Sequence, residues 1–460
     1  MPESNYDCIV IGSGPGGYVA AIRAAQLGLK TAVVEKANTG GRCLNEACIP
    51  AKAILRVAEV LTEVTEAESF GITASGVEFD FGGAVRHRDK VIKTLTGGVA
   101  MLFEKNGIDL IDGFGSVTDD ANVKVGGSFD GSEIEAGSVI LACGSLARPV
   151  AGLQFGGRIL DTAATWLRAE QPKRLAVIGA GASGTEVASA FGRLGTDVLL
   201  LEALDQILPL EDVEVARACA REIAKQNVRI VTGAKVESVE DTGDSVRITV
   251  DGETHEVDLV CIAAGRGADV EGLGLEEAGV ETGDRGLVEV DGAMRTSLEG
   301  VYAIGDIVPG PALAHKASDE GVIAAEDAAG LQTHPIEHID IPRATFCHPN
   351  VGSFGLTEQA AIDAGHDVVV GRCSFGSVGA GTVYGDRSGL VKIVGERTYG
   401  ELLGGHIIGT RATELIQELV NVRALEGGFS EIARMVHGHP TLSEAVMEAA
   451  RDADGWIIHG

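Results

Sequence analysis

The fold is decided by a stretch near the N-terminus, Asp7-Cys8-Ile9-Val10-Ile11-Gly12-Ser13-Gly14-Pro15-Gly16-Gly17. Its apolar half predicts a buried parallel strand, and its second half has the glycine spacing GxGxxG. A helical pattern follows over residues 18–27, and a second strand is predicted over residues 31–35. Glycines at this spacing let the backbone approach a pyrophosphate, and an acid that ends the second strand accepts hydrogen bonds from ribose. We therefore predict a dinucleotide-binding βαβ unit whose binding residues are Gly12, Gly14, Gly17 and Glu35.

A second glycine-rich stretch repeats the first one at a constant offset. Each of its counterpart residues lies 167 positions further along the chain, and these counterparts are Gly179, Gly181, Gly184 and Glu202. So many matches at one offset are not expected by chance, and we predict an internal copy of the βαβ unit. The carboxylate of Glu202 would repel the 2′-phosphate of NADP, so this copy is predicted to bind NAD.

A pair of cysteines lies between the two units, in Gly40-Gly41-Arg42-Cys43-Leu44-Asn45-Glu46-Ala47-Cys48-Ile49-Pro50-Ala51-Lys52. One interpretation is two unrelated buried thiols, because free cysteine packs like a small hydrophobe. The other is a redox disulfide. Positions five apart in a regular helix are separated by about 8–9 Å at Cα, whereas a disulfide needs about 4.4–6.8 Å. A disulfide is therefore possible only if the helix predicted near Cys48 is not yet regular there.

The composition limits the location and the partners. The chain has 460 residues, which suggests about three domains, and its net charge of −30 argues against nucleic acid and anionic membranes as partners. It contains no apolar run that approaches the ~18–20 residues of a membrane span, and residues 1–7 do not resemble a signal peptide. We expect a cytoplasmic protein, in which a close cysteine pair is more often catalytic than structural. Six further cysteines are each expected to stand alone, with Cys8, Cys143 and Cys261 as buried thiols.

Dispersed motifs resemble the flavin-dependent pyridine nucleotide–disulfide oxidoreductases, and within them the dihydrolipoamide dehydrogenase branch. The motifs are the two glycine units, the redox stretch GGxCLNxxCIPxK, a strand that ends at Gly305-Asp306, and His439-Pro440-Thr441-Leu442-Ser443-Glu444. The resemblance implies an α/β fold with two Rossmann-like dinucleotide-binding domains and an α+β C-terminal dimerisation domain. The implied segments are 1–148 for FAD binding, 149–270 for NAD binding, 271–341 for a central domain that completes the FAD site, and 342–460 for the dimer interface.

The resemblance also implies functions for individual residues. Cys43 and Cys48 would form the redox disulfide, with Cys43 facing the substrate and Cys48 facing the flavin. His439, oriented by Glu444, would be the general base in the active site of the partner subunit of a homodimer. Further residues implied at the FAD and NAD sites are Lys52, Gly144, Asp306, Ala314, Glu186 and Gly265. No metal ligand is implied.

Several alternatives stay open for these residues. Glu186 could be a solvated acid of a first helical turn, or it could pair with Lys52 as the resemblance implies. Thr441 and Glu444 could form a capping box, His437 and His439 could bind a metal, and Lys316 could be an ordinary helix-surface residue. Arg42 stands where the family usually has Thr. It would either lower the pKa of Cys43 or contact a flavin phosphate.

The activity implied is oxidation of protein-bound dihydrolipoamide to lipoamide with reduction of NAD⁺ to NADH. The partner would then be a lipoyl-bearing protein of a 2-oxo acid dehydrogenase or glycine cleavage complex. One alternative is a related NAD(P)H-dependent reductase of another small or lipoate-like disulfide. A different class of alternative is a flavoprotein scaffold that acts mainly as a docked subunit.

Overall fold

The structure is a computed structural model that describes residues 5–126, 132–150, 152–283 and 285–460. The prediction about a signal peptide rests largely on residues 1–4, which lie outside the described residues. The sequence also predicts a small antiparallel excursion over residues 123–134, of which the structure describes residues 123–126 and 132–134.

The strands of the described residues follow one another along the chain. They are β1 (Asn5–Ile11), β2 (Thr31–Glu35), β3 (Asp109–Asp112), β4 (Phe114–Val117), β5 (Val123–Gly126), β6 (Ser132–Leu141), β7 (Ser145–Ala147), β8 (Ile159–Asp161), β9 (Arg174–Ile178), β10 (Asp197–Leu201), β11 (Val228–Val231), β12 (Val236–Asp241), β13 (Val246–Val250), β14 (Glu253–Val257), β15 (Leu259–Ile262), β16 (Arg266–Ala268), β17 (Val301–Ala303), β18 (Arg343–Thr345), β19 (Asn350–Gly355), β20 (Val368–Ser374), β21 (Leu390–Glu396) and β22 (Leu402–Gly409).

Helices connect these strands. They are α1 (Pro15–Gln26), α2 (Gly41–Asn45), α3 (Cys48–Thr65), α4 (Phe81–Lys105), α5 (Thr162–Trp166), α6 (Ala182–Arg193), α7 (Val213–Ile223), α8 (Leu275–Ala278), α9 (Ala314–Ala328), α10 (Glu358–Asp363), α11 (Gly379–Val383), α12 (Ala412–Ala424), α13 (Phe429–Arg434) and α14 (Ser443–Ala453). Short 3₁₀ helices lie at Ala67–Phe70, Gly305–Ile307, His338–Asp340 and Phe375–Ser377.

The chain divides into two compact units. The first comprises the chain up to Ala53, Gly83–Arg148 and Gly265–His338, and the second comprises Ile54–Gly82, Pro149–Ala264 and Ile339–Gly460. These two units do not test the four segments predicted from the sequence, which stay a prediction.

A mixed sheet with strand order β3-β2-β1-β6-β5-β4 forms the centre of the first unit, and β17 pairs with β6. The pairs of β1 with β2 and β6 are parallel, whereas β4, β5 and β6 pair antiparallel. The β1 residues Cys8, Ile9 and Val10 are fully buried, as expected of a parallel strand with both faces covered. Because β17 belongs to the segment predicted as a central domain, that segment completes the sheet of the first dinucleotide unit.

The second unit contains a parallel sheet of order β11-β10-β9-β15-β8 and a three-stranded antiparallel sheet of β12, β13 and β14. The order β11-β10-β9-β15 repeats the order β3-β2-β1-β6 of the first unit, and all of these pairs are parallel. The predicted internal copy is therefore present as a repeated topology.

The C-terminal part of the second unit is α+β, as predicted. Its antiparallel sheet has the order β18-β19-β22-β21-β20. Helices α12 and α14 pack against it and share a core that includes Phe354, Ile407, Leu419 and Ala449. The last helix, α14, begins at Ser443.

None of the helices in the described part of the chain combines the length and the apolar character needed to cross a membrane. The cytoplasmic location stays a prediction.

Candidate active site

The first glycine loop leaves room for a ligand. Gly12 has a φ of +101°, and a Cβ on Gly17 would lie 1.9 Å from the carbonyl oxygen of Gly12, so both positions need glycine for the fold itself. A Cβ on Gly14, in contrast, would meet nothing within 4 Å. Gly14 also precedes α1 directly, at the N-terminus that carries the partial positive charge of the helix. The open space at Gly14 therefore fits a pyrophosphate, as FAD would place there.

The second glycine loop has the same geometry. Gly179 has a φ of +98°, and a Cβ on Gly184 would lie 1.9 Å from the carbonyl oxygen of Gly179. A Cβ on Gly181 would again meet nothing within 4 Å, and Gly181 precedes α6. The residues of this loop fit a second dinucleotide, and the repeat predicted from the sequence extends to individual contacts.

The two acids at the strand ends are held in equivalent ways. Glu35 accepts hydrogen bonds from the Ser13 amide at 2.9 Å and from the Ala37 amide at 2.9 Å. Glu202 accepts hydrogen bonds from the Ala180 amide at 2.7 Å and the Leu204 amide at 3.0 Å. Each carboxylate is thereby fixed beside its glycine loop, where its remaining lone pairs fit the ribose hydroxyls of a bound nucleotide.

The two cysteines of the redox stretch lie on different helices. Cys43 belongs to the short helix α2, and Cys48 is the first residue of α3. Glu46, with φ −132°, ends the first helix, so the pair does not span one regular helix and the geometric objection to a disulfide does not apply. Both side chains are partly exposed, and a hydrogen bond joins them. The two sulfurs therefore form a close pair.

The pKa of Cys43 reflects its partner. A hydrogen bond with the Cys48 side chain and then burial raise the pKa of Cys43, while the positive charge of Lys52 lowers it. The Nε of Arg42 lies 3.7 Å from a carboxylate oxygen of Glu46, and both functions considered for Arg42 stay predictions. Lys52, one of the predicted site residues, thus acts on the thiol that the resemblance assigns to the substrate side.

Asp306 lies within electrostatic range of the cysteine pair, since its charge raises the pKa of Cys43. It accepts a hydrogen bond from the hydroxyl of Ser145, and the Nε of Arg266 donates to the same hydroxyl at 2.9 Å. The sequence interpretation did not assign a function to Ser145. Its neighbour Gly144, a predicted site residue, has a φ of +76° and an open Cβ position.

The helix that follows Asp306 carries a buried ion pair. Lys316 and Glu320 lie 2.8 Å apart with side chains 1% and 2% exposed, so the alternative that Lys316 is an ordinary helix-surface residue is wrong. Glu320 accepts from the amide of Gly305 at 2.8 Å, and Lys316 donates to the carbonyl oxygen of Gly305 at 3.1 Å. Ala314 is the first residue of this helix, α9. The spacing of the two residues, one turn apart on one helix, is compatible with an ion pair but does not indicate that the pair is buried.

Two further predicted positions lie at turns of the first unit. The carbonyl oxygen of Gly265 accepts a hydrogen bond from the Arg148 amide at 3.2 Å, and a Cβ on Gly265 would meet nothing within 4 Å. Cys143, expected to be buried, is partly exposed, and its thiol lies 3.6 Å from the carbonyl oxygen of Ile11. The reason is that β6 ends at Leu141, so Cys143 belongs to the turn after the strand and not to its buried part.

Glu186 belongs to the second unit and is not a solvated acid. It is only 5% exposed, and its carboxylate accepts a hydrogen bond from the Phe346 amide at 2.9 Å. Its position on α6 places it just after the second glycine loop. Its pairing with Lys52 stays a prediction.

The C-terminal motif forms a His–carboxylate pair. The Nδ1 of His439 lies 2.9 Å from Glu444 Oε1, and the other carboxylate oxygen accepts from the Thr441 amide at 2.9 Å. Burial raises the pKa of Glu444, but the hydrogen bonds from Thr441 and His439 outweigh it and the net shift is downward. The side chain of His439 is 74% exposed, so its Nε2 edge is open to another molecule.

The alternatives for this motif fare differently. Thr441 is not the N-cap residue, because α14 begins at Ser443 with Leu442 before it. His437 is bound to a different carboxylate, Glu418, at 2.6 Å. Within the described residues, no group of three or more His, Cys, Asp or Glu side chains is arranged to hold a metal ion.

Comparison with known proteins extends these observations. Residues 6–321 match the family model described as pyridine nucleotide-disulphide oxidoreductase, and residues 341–450 match the dimerisation domain of that family. The chain is 43% identical to a dihydrolipoyl dehydrogenase of Mycobacterium tuberculosis, over 99% of this chain and 100% of that protein. It is 39% identical to a dihydrolipoyl dehydrogenase of Bacillus subtilis, over 99% of both chains.

The solved structures agree with the sequence relatives. The crystal structure of LpdA from Mycobacterium tuberculosis matches with a TM-score of 0.90 and 28% identity, over 96% of this chain and 99% of that chain. The predicted fold class is confirmed by this match and by the two family models. As the motifs predicted, the chain belongs to the pyridine nucleotide-disulphide oxidoreductase family.

Proposed function

We propose that this enzyme oxidises dihydrolipoamide to lipoamide and transfers the electrons to NAD⁺. The observation that carries the proposal is the hydrogen-bonded dithiol of Cys43 and Cys48, in the same compact unit as the first glycine loop. FAD and NAD(H) are the cofactors of the family, and the two glycine loops fit two dinucleotides. The relatives at 39–43% identity carry the name dihydrolipoyl dehydrogenase.

The residues of the chain divide the reaction into a thiol step and a nucleotide step. We assign Cys43 to the substrate side: a substrate thiolate attacks Cys43 of the oxidised pair, and Cys48 leaves as a thiolate. The second substrate thiol then displaces Cys43, so that lipoamide forms and the enzyme retains two reduced sulfurs. Bound FAD would supply the two-electron redox chemistry that connects this dithiol with NAD⁺.

The proton of the substrate thiol needs an acceptor, and we assign this function to His439. Its Nδ1 is fixed by Glu444 at 2.9 Å, which orients the ring and leaves Nε2 as the catalytic nitrogen. The match of residues 341–450 to a dimerisation domain supports a homodimer. In our proposal His439 of one subunit serves the Cys43–Cys48 pair of the other.

The glycine loops and their acids hold the cofactors. We assign Gly12, Gly14, Gly17 and Glu35 to FAD, together with Lys52, Gly144, Asp306 and Ala314. We assign Gly179, Gly181, Gly184, Glu186, Glu202 and Gly265 to NAD. The physiological substrate is a lipoyl group on a protein of a 2-oxo acid dehydrogenase or glycine cleavage complex.

Steady-state turnover of the holoenzyme tests the proposal. Dihydrolipoamide is supplied with NAD⁺ and NADP⁺ in parallel, and NADH or NADPH formation is followed at 340 nm, the usual absorbance of reduced nicotinamide. We expect turnover with NAD⁺ and little with NADP⁺. Preferential use of NADPH to reduce another small disulfide would support the alternative of a different disulfide reductase, and absence of any turnover by the flavin-loaded protein would support the scaffold.

A further inference from the structure

Two cysteines of the second unit are in contact. The Sγ atoms of Cys219 and Cys347 lie 3.8 Å apart although the residues are 128 positions apart in sequence. Cys219 belongs to α7, and Cys347 lies between β18 and β19. Both residues are 0% exposed. The prediction that each remaining cysteine stands alone is therefore wrong for these two, because the tertiary fold brings them together.

The segment that carries Cys347 is fixed on both sides of the thiol. The Phe346 amide donates to Glu186 at 2.9 Å, and the His348 amide donates to the Ser189 hydroxyl at 3.0 Å. The side-chain amide of Asn350 donates to the carbonyl oxygen of Cys347 at 2.8 Å. These hydrogen bonds fix the backbone on both sides of Cys347 and thereby keep its side chain in contact with Cys219 on α7.

The surroundings of Cys347 favour its protonated thiol. The hydrogen bond with Cys219 and then burial raise the pKa of Cys347 well above its ordinary value. A protonated, buried thiol reacts slowly at neutral pH. Because the two sulfurs are in contact, a sulfenic acid formed on either sulfur lies within reach of the other thiol.

We propose that Cys219 and Cys347 form a second redox site, at which a peroxide oxidises the two thiols to a disulfide. One thiol loses its proton, the resulting thiolate attacks a peroxide oxygen, and the O–O bond breaks to give a sulfenic acid and hydroxide. The hydroxide takes up the released proton and becomes water. The other thiol then displaces the sulfenic oxygen, an S–S bond forms, and water is released. Overall, two thiols and one hydrogen peroxide give one disulfide and two waters, so that the sulfurs lose the two electrons that the peroxide gains.

The disulfide would weaken binding at the proposed NAD site. The sulfurs must approach from 3.8 Å to about 2.05 Å, which draws Cys347 toward α7. Its neighbour Phe346 donates to Glu186, so this movement weakens that hydrogen bond. This consequence rests on the proposed function of Glu186 at the NAD site. We expect the KM for NAD⁺ to rise about tenfold, the usual effect of losing one such bond.

Peptide mass analysis of the holoenzyme tests the site without using activity. The wild-type protein is treated with hydrogen peroxide and then denatured in the presence of iodoacetamide, which alkylates the free thiols. It is then digested with trypsin. Cleavage after arginine places Cys219 in peptide 218–221 and Cys347 in peptide 344–372. Cys43 and Cys48 share peptide 43–52, so their own disulfide does not interfere. We expect the two separate peptides to appear joined, and to separate again with dithiothreitol.

Variants provide the controls. Cys219→Ala must abolish the linked peptides, while Cys261→Ala, at an equally buried thiol, must leave them. The redox site would be overturned if Cys219 and Cys347 of the peroxide-treated wild type were both recovered in alkylated form. It would also be overturned if they were converted to sulfinic acid without a disulfide between their peptides. Because both outcomes are measured on the wild-type protein, they decide even if a variant fails to fold. A link without a change in the KM for NAD⁺ would overturn the coupling to Glu186. Failure of dihydrolipoamide turnover would bear on the proposed function alone.

Discussion

The Nδ1 atom of His439 lies 2.9 Å from Glu444 Oε1, and this carboxylate is itself held by the Thr441 amide at 2.9 Å. The imidazole is therefore oriented from one side by an acceptor that is fixed independently of it. Because the net pKa shift of Glu444 is downward, the carboxylate stays ionised over the pH range in which a histidine works as a base. The pair has the form of a general base that is ready for a thiol proton.

Replacement of this base tests its function. We expect His439→Gln to slow thiol oxidation about 10²-fold or more, since general bases contribute in this range. FAD content and the free energy of unfolding should be unchanged, because the ring is largely exposed. The measurement is the rate of flavin reduction by dihydrolipoamide in stopped flow.

A neighbouring histidine provides the matched control. His437 lies two residues away but is bound to Glu418 at 2.6 Å and is almost fully buried. His437→Gln should leave the rate of flavin reduction within about threefold, as expected for a group outside the chemistry. Equal rates for wild type and His439→Gln would remove His439 from the mechanism.

Glu202 should determine the choice between NAD⁺ and NADP⁺. Its carboxylate is fixed at the strand end by the Ala180 and Leu204 amides, where it would repel a 2′-phosphate. In Glu202→Gln we expect the preference in kcat/KM for NAD⁺ over NADP⁺ to fall about tenfold or more, since ~1.4 kcal/mol of lost repulsion corresponds to that factor. Parallel kinetics with both nucleotides measure it.

The internal repeat offers the control for Glu202. Glu35 occupies the equivalent position in the first unit and is held by the Ser13 and Ala37 amides. Glu35→Gln should weaken FAD binding, measured by flavin fluorescence on dilution, and leave the nucleotide preference unchanged. The opposite pattern, with Glu35 governing the nicotinamide nucleotide, would reverse the assignment of the two units.

The sequence predicted those parts of this site whose structure depends on residues close together in the chain. The glycines at Gly12 and Gly179 are required by backbone conformation and close packing within one βαβ unit, so their spacing alone indicates the loop. The Cys43–Cys48 spacing and the start of α3 are local in the same sense.

Long-range contacts were not accessible in this way. Cys219 and Cys347 are brought together by packing across 128 residues, and nothing near either residue in sequence indicates the other. The helical pattern of residues 314–328 likewise does not reveal that the face with Lys316 is buried, because that depends on what the fold places over the helix. Cys143 was expected to be buried, but β6 ends two residues before it. The ends of strands are set by their pairing partners and not by composition.

The buried pair of Lys316 and Glu320 should stabilise the turn at Gly305, which precedes Asp306. We expect Glu320→Gln to lower the free energy of unfolding by about 3 kcal/mol, because it leaves a buried lysine without its counter-charge. FAD should also dissociate more readily. Urea unfolding and flavin release on dilution measure the two effects.

A carboxylate on the same helix separates this effect from a general loss of charge. Glu326 pairs with Arg23 at a partly exposed position, so Glu326→Gln should cost less than about 1 kcal/mol. Similar losses in the two variants would show that burial of the Lys316–Glu320 pair does not matter.

The pH dependence of stability should depend on Glu214. A hydrogen bond from Arg372, with a further contribution from Lys392, lowers the pKa of Glu214 from 4.5 to about 2 in the folded protein. The folded state therefore binds this proton less tightly than the unfolded state, and the stabilisation is complete above pH ~4.5 and disappears as the pH falls toward about 2. Since a third of the side chain is exposed, solvent screening limits the effect to about 1 kcal/mol.

Urea unfolding of wild type and Glu214→Gln at pH 7, 5, 4 and 3 tests this dependence. The variant should be about 1 kcal/mol less stable at pH 7, and the difference should shrink steadily below pH ~4.5, because wild type then loses the charge that the variant lacks. Glu240→Gln is the control, since Glu240 pairs with Arg247 at 3.3 Å with both side chains more than half exposed, and it should give no such slope. A difference between wild type and Glu214→Gln that stays constant from pH 7 to pH 3 would mean that Glu214 stabilises the fold by packing and not by its charge.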